Sequence, residues 1–338
     1  MVKHYIREDR SPAKRGMLPV RFLRGLSGRL RAAPLGDTLF QGLCALVAIG
    51  VVALLAVITL VLALAATPSI RAFGFGFLGG TTWNSVAPEV YGAAPFVYGT
   101  LVTSALALLL GVPVSIGIAI FLSELAPPWL RIPLTYIVEL LAAVPSVVYG
   151  LWGLFVLAPA MRDSIEPALQ GVLGWLPIFQ GTPIGTDKFA AGVILAIMII
   201  PTVSAVSREA LLAVPGNQRE AALSLGATRW ETTRLAVLRY ARAGIFGAIV
   251  LGLGRAVGET MAVTMMIGNK NSISVSLFDQ GQTIASLIAN SFAEAGPSSL
   301  QLAALIELGL VLMLMSLVIN VFARLMVRRV LRLGEGAA

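Results

Sequence analysis

Apolar residues in this chain come in long blocks rather than in the alternating or one-sided patterns of a soluble fold. The blocks cover 41–66, 95–122, 134–157, 190–212, 244–269 and 300–325, and polar, Gly- and Pro-rich stretches separate them. A helix of about 20 apolar residues crosses the ~30 Å hydrocarbon layer of a bilayer. The pattern predicts an all-α membrane protein with six transmembrane helices. Pro113, Pro145 and Pro201 interrupt three of the blocks, which is tolerated where neighbouring helices satisfy the freed backbone groups.

The segments between the blocks differ in character. Residues 1–40 form a basic tail with nine Lys/Arg. Its length, and that of the apolar block behind it, exceed those of a cleaved secretory signal, so 41–66 reads as a retained first span. Residues 67–94 are rich in Gly, Pro, Thr and aromatics, as suits an extracytoplasmic loop at the interface. Residues 158–188 read as a long polar loop. The stretch 207–244 is the most charged between blocks: 218–225 favours a helix, Gly226 breaks it, and Thr228 with Glu231 starts another through a capping box. Ile284, Leu287, Ile288 and Phe292 recur at helical spacing, which fits either a re-entrant helix or a capped surface helix. A core over 95–325 and a tail over 326–338 complete the division.

Charge placement predicts topology. Of the 25 Lys/Arg, 9 lie in 1–40, 6 in 207–244, 4 at the carboxyl end and 1 in the 123–133 turn. The segments on the other side hold only Arg71, Arg162, Lys188 and Lys270. The positive-inside rule then puts both termini and the 207–244 loop in the cytoplasm. Because the net charge of +8 is explained by topology, it does not point to nucleic acid.

Composition narrows the chemistry. The chain is 57% hydrophobic and 12% charged, against about 25% charged in soluble domains. One cysteine (Cys44) and one histidine (His4) leave little for disulfides, thiol or imidazole catalysis, or a His/Cys metal site. No GxxxxGKS/T phosphate loop is present, so a nucleotide-hydrolysing role is not expected on this chain.

Charges inside the blocks are the informative exceptions, because each is costly in a bilayer. Arg255 and Glu259 lie four apart, which on a continuous helix puts them on one face. Gly254 and Gly258 form a GxxxG pattern beside them, predicting close approach of another helix. Two roles are open for the charged pair: a structural ion pair, or part of a route for an anion. Arg offers a permanent charge and a bidentate fork to an oxyanion. Glu259 would neutralise Arg255 in an empty cavity, accept a hydrogen bond from a protonated oxyanion, or itself be protonated. Thr260 and Thr264 either add hydroxyl donors or bond back to their own helix. Glu139 reaches the interface or meets a partner helix.

The stretch EAALSLGA (220–227), on a basic loop between the fourth and fifth blocks, resembles the EAA coupling loop of importer-type ABC permeases. Where that family has an Ile-x-Leu-Pro ending, this chain has Ala236-Val237-Leu238-Arg239. Within that group, LGLGRAVGETMAVTMMIGN (251–269) and ELLAAVPSVVYG (139–150) resemble the phosphate-specific, Pst-type permeases, in particular their PstC-like half. The resemblance covers about residues 90–330 and implies a type I ABC importer permease fold in a bacterial inner membrane. It implies one half of a transmembrane pathway for inorganic phosphate, with the family's functional arginine and glutamate falling on Arg255 and Glu259. Apart from the resemblance, Thr260 and Glu139 are further candidates on that pathway. Arg219, Glu220, Ala221, Ala222 and Gly226 would dock a cytoplasmic ATPase. The implied partners are a PstA-like second permease, two PstB-like ATPase subunits that bind ATP and Mg, and a PstS-like extracytoplasmic phosphate-binding protein. No cofactor is expected on this chain. An ABC permease for another oxyanion such as sulfate, molybdate or phosphonate, or a secondary anion transporter, is the alternative.

Overall fold

The computed structural model describes residues 35–335, with side chains described over 39–326, and it is overwhelmingly helical. Most of the basic tail therefore lies outside the described residues. The first helix, α1 (Leu35–Phe73), is followed by the single turn α2 (Gly76–Gly79) and a two-stranded antiparallel pair, β1 (Trp83–Asn84) with β2 (Val90–Tyr91). Then come α3 (Ala94–Ile120), α4 (Pro128–Ala143), α5 (Ser146–Trp152), α6 (Ala158–Ala160), α7 (Glu166–Leu173) and α8 (Lys188–Leu212). The chain ends with α9 (Gly216–Ser224), α10 (Arg229–Thr232), α11 (Leu238–Gly258), α12 (Met261–Met266), α13 (Ile284–Ser291) and α14 (Leu300–Glu335).

Five stretches are long and apolar enough to cross a membrane: Leu39–Phe73, Ala94–Leu125, Lys188–Leu212, Arg229–Gly258 and Leu300–Met326. The sixth predicted span is not straight. Pro128–Ala143 and Ser146–Leu173 meet at 93°. The cause is local: Pro145 clashes with a helical residue before it and drives Val144 to an extended ψ of 128°. Other boundaries shift as well. Helix α1 runs through Pro68 to Phe73, so the expected 67–94 loop begins later. The expected loop 158–188 is helical to Leu173, carried through wide π-turns at Gly153–Leu157 and Met161–Ile165. The fifth span begins at Arg229 rather than near 244 and stops at Gly258, and α14 continues through the expected tail to Glu335.

The chain divides into two units, residues 1–58 and 59–338. In the first, residues 39–58 are apolar and exposed all round, as a lipid-facing helix is. In the second, three apolar clusters follow one another. The middle one joins α3, α5, α8, α11 and α12 around Ile194, Met198, Ile199 and Met266. One end holds Phe77, Tyr91 and Phe96 against α13 and the start of α14; the other holds Ala119, Leu211, Val237 and Ala241. Small residues set the helix spacing. A methyl group at Gly192 would come 2.7 Å from Leu106 Cβ, and one at Gly252 would come 2.5 Å from Val203 Cγ2.

Candidate functional site

The 251–269 stretch folds differently from a continuous helix. Helix α11 ends at Gly258, and Glu259 is extended (ψ 128°). Arg255 and Glu259 therefore do not share a helical face. Arg255 Nη1 instead donates to Thr202 Oγ1 on α8 at 2.9 Å. Glu259 Oε1 turns forward and accepts from the Ala262 N–H at 3.4 Å, at the start of α12. Ion pairs among the described residues join Arg162 to Asp163, Arg208 to Glu139 and Glu209, and Arg219 to Glu124; none includes Arg255. The structural ion pair, one of the two roles left open, is thus absent among the described residues, and a half-buried guanidinium is left with a neutral hydroxyl partner.

Around this break the backbone satisfies itself. Thr260 Oγ1 donates to the Gly258 carbonyl at 3.3 Å, and Thr264 Oγ1 to the Thr260 carbonyl at 2.7 Å, so both threonines bond back to their own segment. Asn269 sits at φ 55° and donates to the Thr264 carbonyl at 2.8 Å. Helix α12 lies close on α5 because Gly150 has no side chain: a Cβ there would stand 2.7 Å from Met265 Sδ. That contact brings Tyr149 to the site. Its hydroxyl donates to the Leu141 carbonyl at 2.8 Å across the α4–α5 bend, within electrostatic range of Arg255. Thr202 and Tyr149 were not singled out from sequence; the visible signal was only a hydroxyl next to Pro201 and another immediately before the close-packed Gly150.

The predicted GxxxG seam is not formed within this chain. A Cβ at Gly254 or Gly258 meets nothing within 4 Å, and Gly252 makes the close contact instead. Glu139 lies away from Arg255, over half exposed, with its Oε1 3.9 Å from Arg208 Nη1 on α8.

The 207–244 segment has the predicted helix–turn–helix form. Helix α9 ends before Gly226, whose φ of +87° is a left-handed conformation that glycine adopts without strain. Thr228 and Glu231 form the expected capping box. Glu220 is exposed, while Ala221 and Ala222 line an open groove of about 590 Å³ with Leu225, Leu235, Arg239 and Tyr240. Leu225 is 89% exposed at its edge. Arg219 turns inward rather than toward that surface. Its Nη2 and Nε donate to the Glu124 carboxylate at 2.8 and 3.3 Å, Nη1 to the Val214 carbonyl at 2.6 Å, and Nη2 also to the Leu211 carbonyl at 2.9 Å.

At the opposite end, Asp187 caps α8 by accepting from the Ala190 N–H at 2.8 Å, and Glu166 accepts from the Gly185 N–H at 3.3 Å. Both carboxyl groups are wholly buried and face each other. Burial first, and the neighbouring Glu166 carboxyl as well, hold Asp187 well above the usual carboxylate range. Lys188, also wholly buried, donates to the Ser274 carbonyl at 2.8 Å and packs over the Tyr98 ring.

Comparison with known proteins adds the family. The binding-protein-dependent transport system inner membrane component family matches residues 111–332. The phosphate transport system permease protein PstC of Haemophilus influenzae is 46% identical over 297 residues, covering 87% of this chain and 93% of the relative. The protein of that name from Mesorhizobium japonicum is 43% identical over 305 residues, covering 89% and 93%. Among solved structures, a bacterial ABC transporter involved in the import of the acidic polysaccharide alginate superposes with TM-score 0.51 at 19% identity, over 70% of this chain and 78% of that one. That likeness is one of fold.

Proposed function

This chain belongs to the PstC-type family of binding-protein-dependent transport system inner membrane components, and from that premise we propose that Arg255 is the fixed positive charge on its anion route. The protein is a multi-pass inner-membrane permease subunit of a phosphate ABC importer, a transport component with ATP hydrolysis on a separate subunit. It works in a complex with another permease, an ATPase and a binding protein. Our reading of those partners is a PstA-like permease, a PstB-like ATPase dimer that binds ATP and Mg, and a PstS-like extracytoplasmic binding protein. In the same reading both termini and α9 face the cytoplasm, with Glu220, Ala221, Ala222 and Gly226 at the ATPase-docking groove.

One observation carries the role of Arg255. It sits among packed apolar helices with a hydroxyl partner and, among the described residues, no ion pair. An unneutralised guanidinium attracts an anion strongly in low dielectric. A tetrahedral oxyanion accepts two parallel N–H bonds from it, with Thr202 Oγ1 holding the third nitrogen in place. In this scheme Glu259 tethers the break between α11 and α12 through the Ala262 N–H. The 93° bend at Pro145 and the break at Glu259 are the points about which the halves rock.

The test is radiolabelled phosphate uptake by the reconstituted complex, wild type against Arg255→Gln, with assembly checked in both. We expect uptake to fall by two orders of magnitude or more in an assembled Arg255→Gln complex, since a charge-assisted bidentate contact is worth about 3 kcal/mol or more. Full uptake in the variant would remove Arg255 from the route. Transport of sulfate in place of phosphate by wild type would overturn the substrate assignment.

A further inference from the structure

Beside the first and last long helices lies a cavity unconnected with the Arg255 region. Its volume is about 290 Å³, and its walls are Ile70 and Gly74 of α1 and its end, Phe75 and Leu78 just beyond, and Glu307, Leu310, Val311 and Leu314 of α14. All but Glu307 are apolar or glycine. Glu307 is only 8% exposed, and its Oε2 has no hydrogen-bond partner. Ser69 Oγ, also buried, stands opposite and is the polar group nearest that carboxyl, but the two do not meet hydrogen-bond geometry, which leaves the carboxyl short of a full donor. A carboxyl group in that position is costly unless a donor reaches it.

We propose that this cavity binds a phospholipid of the surrounding bilayer that carries a primary-amine headgroup, with its ammonium on Glu307 and an acyl chain along Leu310, Val311 and Leu314. Two further features fix the class. The cavity opens sideways, with Phe75 93% and Leu314 61% exposed at its rim, as a site filled from the bilayer requires. Its polar and apolar ends are also ordered along the membrane normal. Arg71 is exposed on α1 beside Ile70, and an exposed arginine there belongs at the headgroup layer. Glu307 faces that same turn of α1, whereas Leu314 lies seven residues further along α14, about 10 Å toward the interior.

A lipid has this polarity: cationic amine and phosphate at the level of Glu307 and Arg71, hydrocarbon below. A primary ammonium brings three N–H donors to the carboxylate, whereas a trimethylated headgroup of equal charge brings none. An anionic headgroup without an amine leaves Glu307 without a donor. The cavity holds part of a lipid, so the remainder of its chains stays in the bilayer.

The test uses the purified, delipidated complex in mild detergent and native mass spectrometry. Phosphatidylethanolamine and phosphatidylcholine of identical chains are titrated in turn. Wild type is expected to bind one ethanolamine lipid roughly tenfold more tightly than the choline lipid, the size of a single charge-assisted hydrogen bond. Glu307→Gln is expected to abolish that preference, and Leu314→Trp, which fills the lower cavity, to weaken both lipids. Equal binding of the two lipids by wild type, or an intact preference in Glu307→Gln, overturns the proposal. So does photocrosslinking from Leu314→Cys, in a Cys44→Ser background, that captures a partner permease helix instead of lipid.

Discussion

Glu124→Ala is the most informative single change outside the Arg255 region, because it tests how α9 is held. In the structure Arg219 is the pin: it leaves α9 and makes two bonds to Glu124, just beyond α3, and two to the Leu211 and Val214 backbone carbonyls, in and just beyond the last turn of α8. The alanine variant removes the carboxylate and leaves the carbonyl bonds. Breaking a fully buried ion pair costs about 3–5 kcal/mol. Here the side chains are 25% and 11% exposed, so water compensates part of the loss. About 2 kcal/mol is the expected cost, or roughly a thirtyfold rise in local opening. Hydrogen exchange of the 216–224 amides in the nucleotide-free complex reads this directly, with 300–312 as the internal reference. Glu124→Gln keeps a neutral acceptor and should cost about half as much. If α9 also carries the ATPase stroke, phosphate moved per ATP falls in step with the lost protection. Protection of 216–224 within twofold of wild type in Glu124→Ala would refute the pin.

Three other outcomes follow from the same contacts. Gly252→Ala and Gly192→Ala push a methyl group into Val203 and Leu106, and each should lower stability by about 1–3 kcal/mol, measured as a drop in detergent Tm. Gly258→Leu projects into open space, so the Tm of this chain alone should stay unchanged while co-purification of the second permease falls; a large Tm drop would show that the position is already filled. Asp187 holds its proton more tightly folded than unfolded, so its stabilising effect is complete below the ordinary carboxylate range and is lost as pH rises toward its raised value. Exchange protection at Gly185 and Ala190, corrected for intrinsic rate, should therefore be lower at pH 8 than at pH 5, and Asp187→Asn should flatten that difference; a flat wild-type profile would contradict it.

The sequence alone determined what depends on composition and on short-range geometry. Long apolar blocks can only be membrane helices, because backbone polar groups in lipid must be satisfied within the segment. The Gly226 break and the Thr228–Glu231 capping box were legible for the same reason: both are interactions across three or four residues. The family was visible in the 220–227 and 251–269 stretches.

Tertiary structure decided what depends on neighbours distant in sequence. Four-residue spacing could not reveal that α11 stops between Arg255 and Glu259, or that the α12 which follows packs against Gly150 on a distant segment. Nor could it show that Arg255 reaches Thr202, 53 residues away, or that Arg219 turns inward to Glu124, 95 residues away. The glycine that forms the close contact is Gly252 and not Gly254 or Gly258, because Val203 stands opposite that face alone. Burial of Glu166, Asp187 and Lys188, in what reads as a polar loop, follows the same rule. A charged side chain shows its type in the sequence, but its partner and its solvent are fixed only when the helices pack.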